Sequence, residues 1–225
     1  MRPVTGTVAA VLLVLGGVGY ADWVLQLFLP VQAGIMTSFI SELGAGGQPH
    51  HDLFRVADLA GGALLVSGAA AAWLHTRRWL TTWCLLVLLG LCIIIEASLP
   101  LNGTFTFGAI LPRPGTRLWW DRVSEPHGLV SFVETVTFLV LFACGTVALR
   151  QASVPANWRR LVAAVGLAAV LCGIADAALT AALLVGGHAI VIGLVQRIGV
   201  TLTAAWLAIA PTWLLLTQRP SRVPG

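Results

Sequence analysis

The sequence predicts an all-α fold: a polytopic integral membrane protein, built as a six-transmembrane-helix bundle with both termini cytoplasmic. Three observations carry that expectation. The 225 residues are 58% hydrophobic and only 10% charged, with a mean hydropathy of +0.91, a balance that suits hydrocarbon and not water. Six apolar stretches approach the roughly 20 residues that a bilayer core requires. Arginines gather in tight groups at alternate ends of those stretches, which is the usual cytoplasmic signature.

Taken in order, the spans read Val4–Leu29, Leu53–Leu74, Trp79–Leu99, His127–Leu149, Arg160–Ala181 and Arg197–Thr217, in a single transmembrane domain covering residues 1–225. The first contains Gly19-Tyr20-Ala21, which resembles a cleavage site. Apolar character nevertheless runs on to Pro30, beyond a signal core of about 7–15 residues, so the stretch reads as a membrane helix. The segment Ala182–Gln196 is apolar enough to extend either of its neighbours, and Gly186 and Gly187 favour a break within it. Arg2, Arg77, Arg78, Arg150, Arg159, Arg160, Arg219 and Arg222 fall on one side, which is taken as cytoplasmic. The outer loops are then the long ones, Pro30–Asp52 and Pro100–Pro126, and a binding or catalytic site is expected on that face.

All thirteen basic residues are arginine, so Schiff-base and Walker-type lysine chemistry is excluded. The net charge of +4 is assigned to topology and lipid contact, and no nucleic-acid partner is expected. Cys84, Cys92, Cys144 and Cys172 all lie within spans, where they read as small buried hydrophobes. The nine tryptophans read mainly as an interfacial belt. His50, His51, His127 and His188 with Glu42, Asp52 or Glu125 offer ligand types for zinc, but no H-x-x-x-H or H-E-x-x-H pair occurs, so no metal or cofactor is assigned. No GxSxG elbow, CxxC or phosphate loop is present.

The informative residues are the ionisable ones inside the spans, each of which costs about 2.5–3.5 kcal/mol to insert. Asp22, Asp58, Glu96, Glu134, Asp176 and Arg197 come one from each span, all in the outer half of the proposed topology. If they face inward, they line one polar cavity; if not, each bonds a neighbouring helix or reaches for the interface. His127, Ser131 and Glu134 stand at i, i+4 and i+7, on one helical stripe. Such a stripe can relay a proton, or it can be a hydrogen-bond network at a helix start. The candidate catalytic groups are therefore Glu42, His127, Glu134, Glu96 and Asp58. The candidate substrate-binding groups are Arg197, Ser41, Asp176, Trp119 and Trp120, with Glu42, Glu134, His127 and Arg197 expected to converge on one cavity.

The stretch Phe39-Ile40-Ser41-Glu42-Leu43-Gly44-Ala45-Gly46-Gly47-Gln48-Pro49 resembles the opening signature of a bacterial six-helix membrane family catalogued as domain of unknown function 998. Leu53-Phe54-Arg55 before a glycine-rich helix, His127 at a helix start and Gly193-Leu194-Val195-Gln196-Arg197-Ile198 extend the likeness. The resemblance implies a six-helix bundle and draws attention to Ser41, Glu42, Gly44, His127 and Arg197; it implies no reaction. In this reading Gly44 takes a left-handed conformation that ends a short interfacial helix and leaves Glu42 turned toward the bundle mouth.

Three function classes follow. The leading one is an enzyme acting on a membrane lipid or isoprenoid by acid–base chemistry, such as protonation-initiated cyclisation or ester hydrolysis or transfer, with Arg197 holding an anionic head group. The alternative is a non-catalytic assembly or regulatory protein whose polar residues only join helices. A transporter or flippase ranks below both, because it favours midplane charges and repeated halves.

Overall fold

In the computed structural model, which describes residues 2–99, 126–184 and 190–217, the chain is all-helical, with no strand among those residues. Six α-helices run α1 (Arg2–Gly19), α2 (His51–His75), α3 (Leu80–Ser98), α4 (Pro126–Gln151), α5 (Ala156–Leu184) and α6 (Ile192–Leu216). Two short 3-10 helices, Asp22–Leu27 and Ile40–Gly44, lie between α1 and α2. Helices α2 to α6 are long and apolar enough to cross a membrane, and α1 contributes a shorter apolar helix. The protein is a multi-pass helical membrane bundle.

Glycine and alanine let the first helices approach closely, the usual device where lipid offers no hydrophobic drive between helices. On α1, Gly16 lies against Leu65 and Gly19 against Gly61, while Gly17 faces the backbone of Ala204 and Ala208 on α6. Between α2 and α3, a Cβ added at Gly62 would stand 2.7 Å from the Gly90 carbonyl oxygen, and one at Gly90 would stand 2.7 Å from that of Gly62. Helix α1 thus sits between α2 and α6, α3 packs on α2, α4 on α3, and α5 on α6. The ring nearly closes between α4 and α5, which touch only sparsely.

Their contact lies at one level. Phe142 of α4 meets Gly166 of α5 there, and both Phe138 and Phe142 pack edge-on against Trp206 of α6, with ring centroids 6.0 and 5.9 Å away. Trp206 and Trp83 are fully buried, so these two belong to the core and not to an interfacial belt. The belt reading holds better for Trp73 and Trp79, whose rings lie under Arg77 and Arg78. Outward-facing apolar stripes, such as Val8, Val11, Leu15 and Val18 on α1, present hydrocarbon to the surroundings.

The helix boundaries differ most from the sequence reading at three places. Helix α1 stops at Gly19 and not at Leu29; its 18 residues span about 27 Å at 1.5 Å per residue. The apolar residues that follow fold back as a 3-10 turn, and Trp23, Leu25, Leu29 and Val31 pack around Ala33, Leu43 and Phe54. Helix α5 begins at Ala156, ahead of Arg160. Helix α6 begins at Ile192, so Arg197 lies inside the helix and not at its end.

Candidate functional site

At the end of the bundle that carries the two 3-10 helices, α4 and α5 diverge from the Phe142–Gly166 contact and leave a crevice of about 840 Å³. That size falls within the range of small-molecule sites, roughly 300–1,000 Å³. Asp22, Asp58, Glu96, Glu134 and Asp176, from five different segments, all line it. His127, Ser131 and Glu134 line it as well, as their common stripe on α4 requires.

The best-defined array joins α3 to α4. His127 Nδ1 lies 2.9 Å from the Leu99 carbonyl oxygen, and Nε2 lies 3.1 Å from Glu96 Oε1. A carbonyl only accepts, so Nδ1 carries the proton there and Nε2 is the nitrogen that shares a proton with Glu96. Ser131 Oγ stands 2.6 Å from the same carboxylate oxygen. Beside this array, Tyr20 at the end of α1 donates its hydroxyl to Glu134 Oε1 at 2.6 Å. Glu134 is only 8% exposed, and its Oε2 meets no partner among the described residues. Asp176 of α5 accepts from Gln196 Nε2 at 3.3 Å through Oδ2, while its Oδ1 is likewise buried without a partner among them.

Arg197 and Glu42, both expected to face the cavity, lie behind its lining. Arg197 is 1% exposed. Its Nε and Nη2 donate to Gln26 Oε1 at 3.0 and 2.8 Å, and Nη1 to the carbonyls of Ile35, Ser38 and Gly193 at 3.1, 2.8 and 2.9 Å. The guanidinium is thereby spent on the loop between α1 and α2, fastening it to the start of α6. Gln196 supports the same junction by accepting the Ile40 N–H at 3.0 Å, and the Gly193 N–H donates to the Met36 carbonyl. The anionic head group assigned to Arg197 from sequence has no access to it.

Glu42 is 0% exposed, and its Oε1 accepts the Phe39 N–H at 3.2 Å, capping the second 3-10 helix. Burial pushes its carboxyl up to about 7, against the opposing pull of the Phe39 N–H and of the Arg197 guanidinium. Its neighbour Ser41 does line the crevice. Gly44 is not left-handed; Gly47, at φ 99°, takes that conformation. Trp119 and Trp120 lie outside the described residues.

The raised Glu42 value has a pH consequence. The folded chain holds a proton that the unfolded chain releases near 4.5, so stability is fullest below about 4.5 and falls as pH rises toward about 7. Thermal melts of detergent-solubilised protein are expected to fall by a few degrees across that window, and Glu42→Gln should flatten the change. An unaltered slope in the variant would assign the dependence elsewhere.

The residues that sequence missed are Tyr20, Gln26 and Gln196. Tyr20 is the sole tyrosine of the chain, and the sequence set it apart only within Gly19-Tyr20-Ala21, the stretch that resembles a cleavage site. The glutamines carry no charge and were given no role, Gln196 appearing only within the stretch that extends the family likeness, although amides in an apolar segment need partners as surely as acids do.

A family model described as "Protein of unknown function (DUF998)" matches residues 7–212. The chain belongs to this family. The match takes in α2 to α5 whole and most of α1 and α6, and so every described residue of the crevice. No curated protein and no solved structure matches the chain.

Proposed function

We propose that this DUF998 member is an enzyme of the cell membrane that acts on a lipid or isoprenoid by acid–base chemistry, in a crevice facing outward. One observation supports the reading above the others: the Glu96–His127–Ser131 array and the Tyr20–Glu134 pair stand together in an otherwise largely apolar crevice. With Nδ1 anchored on the Leu99 carbonyl, His127 presents Nε2 in a fixed orientation to the proton held with Glu96. Glu134, which accepts from Tyr20 and shares a hydrogen bond with the Glu96 carboxyl, supplies a second carboxyl. Two such groups allow one to withdraw a proton from the substrate while the other delivers one, the requirement of both ester transfer and proton-initiated cyclisation. In the second case Phe132 and Phe138, which line the crevice, offer aromatic faces to a developing cation.

The test compares lipid extracts of cells that produce the wild type or His127→Gln at equal membrane levels. Wild-type membranes are expected to accumulate a lipid product that the variant makes about 10²–10⁴-fold more slowly, the usual contribution of a positioned acid or base. Identical lipid profiles, with the variant folded, would replace catalysis by a binding or assembly role.

A further inference from the structure

We infer that the crevice takes an amphiphile whose head group donates hydrogen bonds and bears no negative charge, an alcohol or an amine, entering from the bilayer between α4 and α5. The inference rests on the crevice being a lipid site, as proposed above, and narrows the class of lipid.

The path of entry follows from the packing. Phe138, Phe142 and Trp206 close the crevice at one end, where Phe142 meets Gly166. Beyond that level α4 presents Leu129 and Phe132 to the crevice while leaving them 51% and 68% exposed. Across from them, Ala177 and Ala181 of α5 line the crevice and are exposed too. The described residues thus leave an apolar slot along the side of the bundle, at membrane level, which suits a hydrocarbon tail better than a water-borne solute.

The head group follows from the charges. Five carboxyl side chains line the crevice, against Arg55 and His127 among the described residues. His127 is held between Glu96 and the Leu99 carbonyl. Arg55 donates its Nε to the Ala97 carbonyl at 3.0 Å and lies 4.0 Å from Asp52 through Nη1. Arg197, the cation best suited to a phosphate by its fork of donors, is sealed behind the lining by Gln26 and three carbonyls. A phosphate would therefore find these cations already engaged by protein acceptors and would share the crevice with five carboxyl groups. Of the crevice-lining residues, Glu134 and Asp176 each carry a buried oxygen without a partner among the described residues, Oε2 and Oδ1; Glu134 also shares a hydrogen bond with the Glu96 carboxyl, and both oxygens can accept from a hydroxyl or ammonium.

The experiment uses three ligands with one tail: 1-oleoylglycerol, oleylamine and 1-oleoyl lysophosphatidate. Each is titrated into the full-length protein in detergent, and complexes are counted by native mass spectrometry. The alcohol or the amine is expected to bind at least tenfold more tightly than the phosphate, and whichever is tighter identifies the head. Glu134→Gln should weaken that binding by about tenfold. Gly173→Trp, confirmed folded by an unchanged melting temperature, should abolish it, because Gly173 lines the crevice and a side chain there starts in open space, with nothing within 4 Å of its Cβ. Equal or tighter binding of the phosphate, binding of none of the three, or undiminished binding by Gly173→Trp overturns the inference. Catalysis is judged separately: a bound alcohol or amine recovered unchanged contradicts the enzyme reading and leaves the ligand class standing, whereas preferred binding and turnover of the phosphate does the reverse.

Discussion

Arg197→Ala is expected to lower the melting temperature of the detergent-solubilised protein by about 10 °C, and Arg197→Lys by nearly as much. The guanidinium is 1% exposed and satisfies the Gln26 side chain and three main-chain carbonyls at once. Alanine leaves all four acceptors in a space that water does not reach, and each unsatisfied group costs about 1–3 kcal/mol before relaxation. Even if half of that is recovered by local movement, roughly 2–6 kcal/mol remains, at about 2–4 °C per kcal/mol for a chain of this size. Lysine offers three donors from a single nitrogen and cannot reach Gln26 along one edge and the carbonyls of Ile35, Ser38 and Gly193 from the other. The loop that carries both 3-10 helices should come loose first, visible as faster proteolysis between Phe28 and Gln48. A variant that melts like the wild type would show that the loop is held by Gln196 and the Gly193–Met36 hydrogen bond without the guanidinium.

The same residue marks the limit of what the sequence discloses. An arginine bordering an apolar run reads as the end of a span, because charge in hydrocarbon is costly. Here the loop after α1 brings carbonyls to the charge, α6 starts five residues earlier at Ile192, and no span end is needed. Apolarity misleads at the first span for a related reason. Trp23, Leu25 and Leu29 look like a continuation of α1, yet a segment folded back against Leu43 and Phe54 needs the same composition as one in lipid. What hydropathy does disclose is six apolar helices, five of them long enough to span, and the five acids of the predicted spans, which are costly in hydrocarbon unless they share a polar interior or bond a neighbouring helix. Which groups reach that interior depends on rotation about each helix axis. Periodicity fixes it for His127, Ser131 and Glu134 on one stripe of α4, and gives no purchase on Glu42, which sits in a five-residue 3-10 helix.

Gly62→Leu is expected to be strongly damaging although it removes no polar group, lowering the melting temperature by about 10 °C and abolishing ligand binding in the crevice. Its added Cβ would stand 2.7 Å from the Gly90 carbonyl oxygen and 2.8 Å from Ile94 Cγ1. The first of these is backbone, which cannot swing aside as a flexible side chain would. Overpacking typically costs about 1–3 kcal/mol where side chains can adjust, and the upper end or beyond applies where two helix backbones must separate. The separation also has a chemical effect. Asp58 stands one turn before Gly62 on α2, and Glu96 follows Gly90 on α3; both line the crevice, so the glycine contact sets their spacing. Gly173→Ala, which places a methyl in open space, is the matched control and should melt within about 1–2 °C of the wild type, consistent with a helix-favouring exchange. If Gly62→Leu behaved like that control, the close approach of α2 and α3 would be absent in the membrane, and the placement of Asp58 beside Glu96 would fall with it.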